Sequence, residues 1–211
     1  MKQETNKETT YDFQDGNGAV LAKRHTNPDG SISGWVADTA EVYGNAYVYE
    51  NAKVYGNAKV YEDAKVVGNA KVFGYSRVYG KAKVFGDSLV YGNARVFGKA
   101  DVWGNSIVFG DAIVFEDARI SGDAEVFRDA KVYGNAIVSG DAAVFGDAEV
   151  FGDAEVYGNA EVWGNARVFE DAIVSGDAEV YGNAEVFGGA LVSGNAKVSG
   201  NAKITLDKPE E

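Results

Sequence analysis

Residues 40–57 read AEVYGNAYVYENAKVYGN, three successive hexads of the form A-x-V-x-G-[ND], the second with Glu in the Gly slot. Within a hexad, Ala and Val occupy alternate positions and the two variable residues the others. A strand sends alternate side chains to opposite faces, so Ala and Val share one side and the variable pair the other. β-Branched Val favours the extended backbone. Gly followed by Asn or Asp then supplies residues that tolerate positive φ, and the chain turns. Each hexad therefore reads as a short strand and a corner. A helix is excluded, because a period of six does not match 3.6 and a Gly in most hexads would weaken it.

The pattern runs through 28 hexads over residues 40–207 without an insertion or deletion. The third position is Val except at Ile120 and Ile204, and the first is Ala except at Ser76, Ser88 and Ser106. A uniform strand-and-corner repeat builds a solenoid, in which each coil hydrogen-bonds to the coils before and after it. The second variable slot shows how many hexads make a coil. Taken every 18 residues from Tyr43 it is aromatic throughout: Tyr43, Tyr61, Tyr79, Phe97, Phe115, Tyr133, Phe151, Phe169, Phe187. The series from Tyr55 is aromatic until Ser199, and the third phase is mixed, carrying Ser121, Ser139, Ser175 and Ser193. The heptapeptide AIVSGDA, at residues 136–142 and again at 172–178, belongs to that third phase. Three hexads per coil explain all three series. The expected fold is all-β: a parallel β-helix of triangular section, about nine coils and roughly 45 Å long at ~4.8 Å per level.

This phased repeat resembles the transferase-hexapeptide superfamily, and most of all bacterial and phage proteins with long uninterrupted A-x-V-x-G-[ND] runs. The resemblance covers residues 40–207 and implies a left-handed parallel β-helix; the handedness comes from the resemblance alone, since parallel crossovers are otherwise right-handed. Enzymes of that superfamily are mostly acyltransferases with a histidine base near a loop that projects from the helix, and they commonly form trimers. Here the single histidine, His25, precedes the coils, and no loop interrupts the repeat. Carbonic anhydrases of the same superfamily need three histidines around zinc, which one cannot supply. No nucleophile, phosphate-binding loop or cofactor motif is present, so no cofactor is expected. Corner carboxylates such as Asp123, Asp141 and Asp177 read as turn residues, not as a metal site. An ice-binding face would need outward threonines, which the outward slots lack until Thr205.

Ahead of the coils, residues 1–39 form a tail and cap. Two extended runs flank Asn27-Pro28-Asp29-Gly30, the composition of a hairpin turn, and Trp35 and Leu21 are expected to cover the apolar end of the first coil. Residues 208–211 are a short charged tail. The net charge of −12 is uneven: residues 1–100 carry 13 Lys and Arg against 11 Asp and Glu, and residues 101–211 carry 7 against 21. Such a surface argues against nucleic acid. No apolar run is long enough for a membrane span or signal peptide, so no membrane partner is expected and a cytoplasmic location is the default, with virion association as the alternative. The absence of cysteine rules out disulfides.

The functional expectation is a noncatalytic structural or binding rod that self-associates as a homo-oligomer or meets a polysaccharide or another protein. Its contact residues would be the aromatic column (Tyr61, Tyr79, Phe97, Phe115, Phe151, Phe169) and, on the mixed phase, Ser139 and Ser175 with Ile137, Ile173 and Leu191. The alternatives are an acyltransferase-like enzyme with an inter-subunit site and His25 as base, and a carbohydrate-binding or adhesive module.

Overall fold

A computed structural model describes residues 9–206. They form a parallel β-solenoid of about ten turns with 18-residue coils and three sheets. The chain enters through three strands, β1 (Thr9–Asp12), β2 (Ala19–Thr26) and β3 (Ile32–Ala37). The coils begin with β4 (Glu41–Val42), β5 (Tyr47–Val48) and β6 (Lys53–Val54), one for each sheet. Face 1 is a 12-stranded sheet that carries the entry strands and continues through β6; face 2 is 10-stranded and starts at β4; face 3 is 9-stranded and starts at β5. The 28 hexads exceed nine coils by one, which gives face 2 its tenth strand, and β3, paired in parallel with β6, adds a tenth parallel rung to face 1.

The core is the column of Ala and Val, fully buried from Ala58 to Val186 and opening in the last coil, where Ala196 is exposed. Where Ser replaces Ala the hydroxyl is satisfied locally: Ser76, Ser88 and Ser106 donate to the carbonyls of Phe73 (2.8 Å), Phe85 (2.9 Å) and Trp103 (2.8 Å). That bond offsets the cost of burying a hydroxyl among methyl groups. Outside the strand ladders, the backbone hydrogen bonds between levels run with one polarity. Lys53 N donates to Ala70 O, Tyr55 N to Val72 O and Asn57 N to Gly74 O, and the set repeats down the rod.

The corners need a left-handed residue set close against the next level. Gly134 has φ of 75°, and a Cβ there would lie 2.7 Å from Gly152 N. Five corners nevertheless hold a non-glycine residue at positive φ: Glu50, Glu62, Glu116, Arg128 and Glu170. Three of these glutamates accept the corner N–H of the next level, from Gly80, Gly134 and Gly188 at 2.8, 2.8 and 2.9 Å. The carboxylate therefore recovers a backbone donor in exchange for the strained backbone. The aspartates of the corners are held similarly: Asn105 Nδ2 donates to Asp123 and Asn159 Nδ2 to Asp177, each at 2.8 Å.

The cap is built around the carbonyl-rich upper edge of the first coil. The expected hairpin is present, with Gly30 at φ 83° and Asn27 N bonded to Ser31 O. Asn27 is 3% exposed, and its side chain replaces a peptide group of the missing level: Oδ1 accepts Val48 N–H at 2.8 Å while Nδ2 donates to Val48 O at 3.3 Å. Ser33 Oγ also donates to Val48 O, Thr39 Oγ1 to Gly56 O, and the N–H groups of Gly34 and Trp35 to Glu50 O and Ala52 O. Tyr49 donates to Asp29 Oδ2 at 2.6 Å and ties the turn to the coil; this bond holds Asp29 down at about 2.

Two parts of the expected cap are corrected. Leu21 points outward and is 55% exposed, so it covers nothing; Ala22, Val36 and Ala37 are the buried residues. Trp35 alternates with Val36 and therefore lies on the outer face, stacked on Tyr11 at 4.2 Å with the Arg24 guanidinium over its ring. Val36 joins the Ala and Val column at its upper end, and Phe13, missed in the sequence, is 1% exposed and stacks on Tyr55 in a separate cluster on the outer side. Its signal was the alternation of Tyr11 and Phe13 in TTYDF, residues 9–13.

Candidate functional site

The outward surface offers three unlike faces. On face 2, Tyr61, Tyr79, Phe97, Phe115, Phe151 and Phe169 fall in one ladder from Tyr43 to Phe187, with parallel rings 4.8–5.1 Å apart and within 12° of coplanar orientation. Strand spacing is itself about 4.8 Å, so residues in one slot are brought to stacking distance without adjustment. Each ring covers its neighbour's face, and the ladder turns edges outward; Tyr43, with one open face, is 50% exposed. Burial raises the hydroxyl pKa of Tyr61, Tyr79 and Tyr133.

Face 1 carries the second ladder, continuous from Phe13 through Tyr55, Phe73, Tyr91, Phe109, Phe127, Phe145 and Trp163 to Tyr181. Tyr55 lies beneath Phe13, and burial pushes its hydroxyl up to about 12.

Face 3 brings the named serines and aliphatics together. Ile137 pairs with Glu155, Glu155 with Ile173, and Ile173 with Leu191, so a carboxylate separates the isoleucines. Ser139 and Ser175 lie beside them in the other outward column, Ser175 buried and Leu191 57% exposed.

His25 sits in the cap, with Nε2 3.4 Å from Ala46 O. A carbonyl can only accept, so the ring nitrogen is the donor. Burial lowers the pKa below the ordinary 6.5, the Ala46 carbonyl opposes that shift and Lys23 adds to it. Arg24 donates to Glu50 O nearby, so His25 belongs to the row of donors that close the first coil. Among the described residues no group of three or more His, Cys, Asp or Glu is placed to hold a metal ion.

No protein-family model matches the chain, and no curated protein matches it in sequence.

Proposed function

We propose that the chain is a noncatalytic structural or binding rod of the hexapeptide-repeat, left-handed type that associates with itself or another protein through its outward faces. The observation that carries this reading is the unbroken register: the described coils follow one another with two continuous aromatic ladders and no inserted loop that would form a pocket for an acyl donor. The left hand follows from the resemblance of the repeat.

The stacked rings support contact with protein more than with a polysaccharide. A sugar stacks on an exposed ring face, whereas these ladders offer edges between the capped ends. Exposed apolar strips of this length are also what association surfaces carry. For the acyltransferase-like alternative, His25 would have to act as base with Nε2 engaged on Ala46 O.

Light scattering over rising concentration tests the reading, and a strict monomer to high micromolar concentration would remove the self-association. Glycan binding that is abolished by Tyr61→Ser or Phe169→Ser would favour the carbohydrate alternative. An acyl-transfer activity lost in His25→Ala would restore the enzyme.

A further inference from the structure

Faces 1 and 2 distribute their charges differently. In the first outward column of face 2, ion pairs join Lys59 to Glu41, Lys131 and Arg167 to Glu149, and Arg167 and Lys203 to Glu185, while Lys59, Arg77 and Arg95 follow one another as a run of cations. The corresponding column of face 1 is segregated. It runs Lys53, Lys71, Leu89, Ile107, Glu125, Ala143, Glu161, Glu179, Lys197: basic over its first two levels, apolar toward the middle, acidic at Glu161 and Glu179, and closed by a single lysine. Lys53 is stacked directly on Lys71, and Glu161 on Glu179; like charges placed opposite one another on adjacent strands are destabilising. Among the described residues, Lys53, Lys71, Glu125 and Glu161 make no ion pair. Glu179 reaches Lys197 at 2.7 Å, and the Lys53 ammonium lies over the Tyr11 ring at 5.3 Å.

We propose that face 1 is the contact surface of an antiparallel two-fold dimer with a second copy of this chain. It rests on the reading of the protein as a self-associating rod and adds which face meets and in which direction. When two such faces meet about a two-fold axis that lies across the face, perpendicular to the rod, each column meets its own counterpart running the other way. An axis between the levels of Ile107 and Glu125 sets Lys53 against the partner's Glu179, Lys71 against the partner's Glu161 and Leu89 against the partner's Ala143. Ile107 meets the partner's Glu125 at the axis, the one unmatched pair. The aromatic column then meets itself, Phe109 against the partner's Phe127 and Tyr91 against the partner's Phe145. A parallel arrangement about an axis along the rod would instead set the charged column against the aromatic one, with both lysine ends together.

A second observation agrees with this pairing. Beside Lys53, Lys71 and Leu89 opens a groove of about 590 Å³, bounded on its other side by Asn51, Asn69 and Asp87. The amides donate along that side, Asn51 to Asn69 and Asn69 to the Asp87 carboxylate, so Lys53 and Lys71, which make no ion pair, are the groups that would meet the incoming carboxylates of the partner's Glu161 and Glu179. Eight levels at ~4.8 Å, across a face roughly 15 Å wide, cover about 550 Å² on each copy. The total of about 1,100 Å² lies near the low end of specific interfaces, so the dimer should dissociate within an accessible concentration range.

Sedimentation equilibrium of the full chain, with charge-reversed pairs, tests the arrangement. Lys53→Glu with Lys71→Glu, and separately Glu161→Lys with Glu179→Lys, are each expected to raise the dimer dissociation constant at least tenfold. An equimolar mixture of the two variants should restore association as a heterodimer, because each then offers the other both matched ends. The chain with all four reversals should dimerise like the wild type, which also controls for folding. Wild-type affinity in either double variant, or no recovery on mixing, overturns the proposal. A protein that remains monomeric overturns the self-association reading along with it. An oligomer indifferent to these changes but dispersed by Leu191→Lys moves the contact to face 3, and overturns this inference alone.

Discussion

Asn27→Ala tests the idea that one side chain stands in for a strand. The substitution removes the acceptor for Val48 N–H and one of two donors to Val48 O, bonds of 2.8 and 3.3 Å at a residue 3% exposed. Each buried group left without a partner costs about 1–3 kcal/mol, less where Ser33 Oγ still reaches the carbonyl, so the expected loss is about 2–4 kcal/mol. Repeat arrays couple mainly to their neighbours, and the loss should concentrate in the cap and first coil. Hydrogen exchange at Val48 should therefore quicken far more than at Val150, several coils away. Asn27→Asp sharpens the test. The carboxylate keeps an acceptor but faces Val48 O with no donor, and burial raises its folded-state pKa above the unfolded value. The variant should then gain stability relative to wild type as pH falls and the acid form donates in place of Nδ2. An Asn27→Ala protein with unchanged exchange at Val48 and a denaturation midpoint within about 0.5 kcal/mol of wild type would refute the reasoning.

Four further outcomes follow from the same contacts. Because burial holds the pKa of His25 below 6.5, the unfolded chain takes up the proton first; the contribution of His25 is complete above that pH and is lost as pH falls from about 6.5 through the lower folded value. Denaturant midpoints at pH 7.5 and 5.5 should differ more for wild type than for His25→Gln. Gly134→Ala should cost about 1–2 kcal/mol from the left-handed backbone alone, and Gly134→Glu should cost less in thermal unfolding, because its carboxylate can take the next corner N–H as Glu116 does. Phe115→Leu interrupts stacks of 5.1 and 4.8 Å and should cost about 1–3 kcal/mol by calorimetry. Removing residues 1–39 uncovers a carbonyl-rich edge that complements the N–H-rich edge at the other end of the coils. Such a head-to-tail contact does not close, so electron microscopy should show filaments that the capped protein does not form.

The period of 18 was legible in the sequence because every level obeys it, and face identities followed from which slot tolerated serine. Ring orientation was not, since a column of Tyr and Phe is equally consistent with flat and stacked rings until the level spacing is combined with the slot geometry. The cap was legible only as a hairpin. Its parts occur once, so no repetition reveals them: Tyr11 and Phe13 are one pair of aromatics in a polar tail, and the two bonds of Asn27 to Val48 cross 21 residues. Leu21 was misplaced because hydrophobicity alone does not say which side of a two-sided hairpin faces the coil. The corner glutamates read as lapses in G-[ND], yet Glu62, Glu116 and Glu170 recur in one corner column and share one bond.

The same repeat thus builds an interior without freedom and an exterior with a great deal. Between the first and last coils, changing Val or Ala alters volume in a fully buried column, and changing a corner glycine meets the backbone of the next level. The two outward slots meet neither restriction, and their column neighbours are always the residues 18 before and after. Along such a column, charge can be cancelled within the chain or left for another chain. Face 2 cancels much of its charge by placing opposite signs on neighbouring levels, as at Glu149 between Lys131 and Arg167, although Lys59, Arg77 and Arg95 follow one another. On face 1 Glu179 alone is paired, with Lys197, and Lys71 and Glu161 are five levels apart, roughly 24 Å at the spacing of strands and well beyond the Debye length at physiological salt. A lone rod cannot bring those charges together, whereas an antiparallel partner can. The contrast between the two faces therefore lies in the order of residues along the column, since both draw on the same hexad and the same backbone.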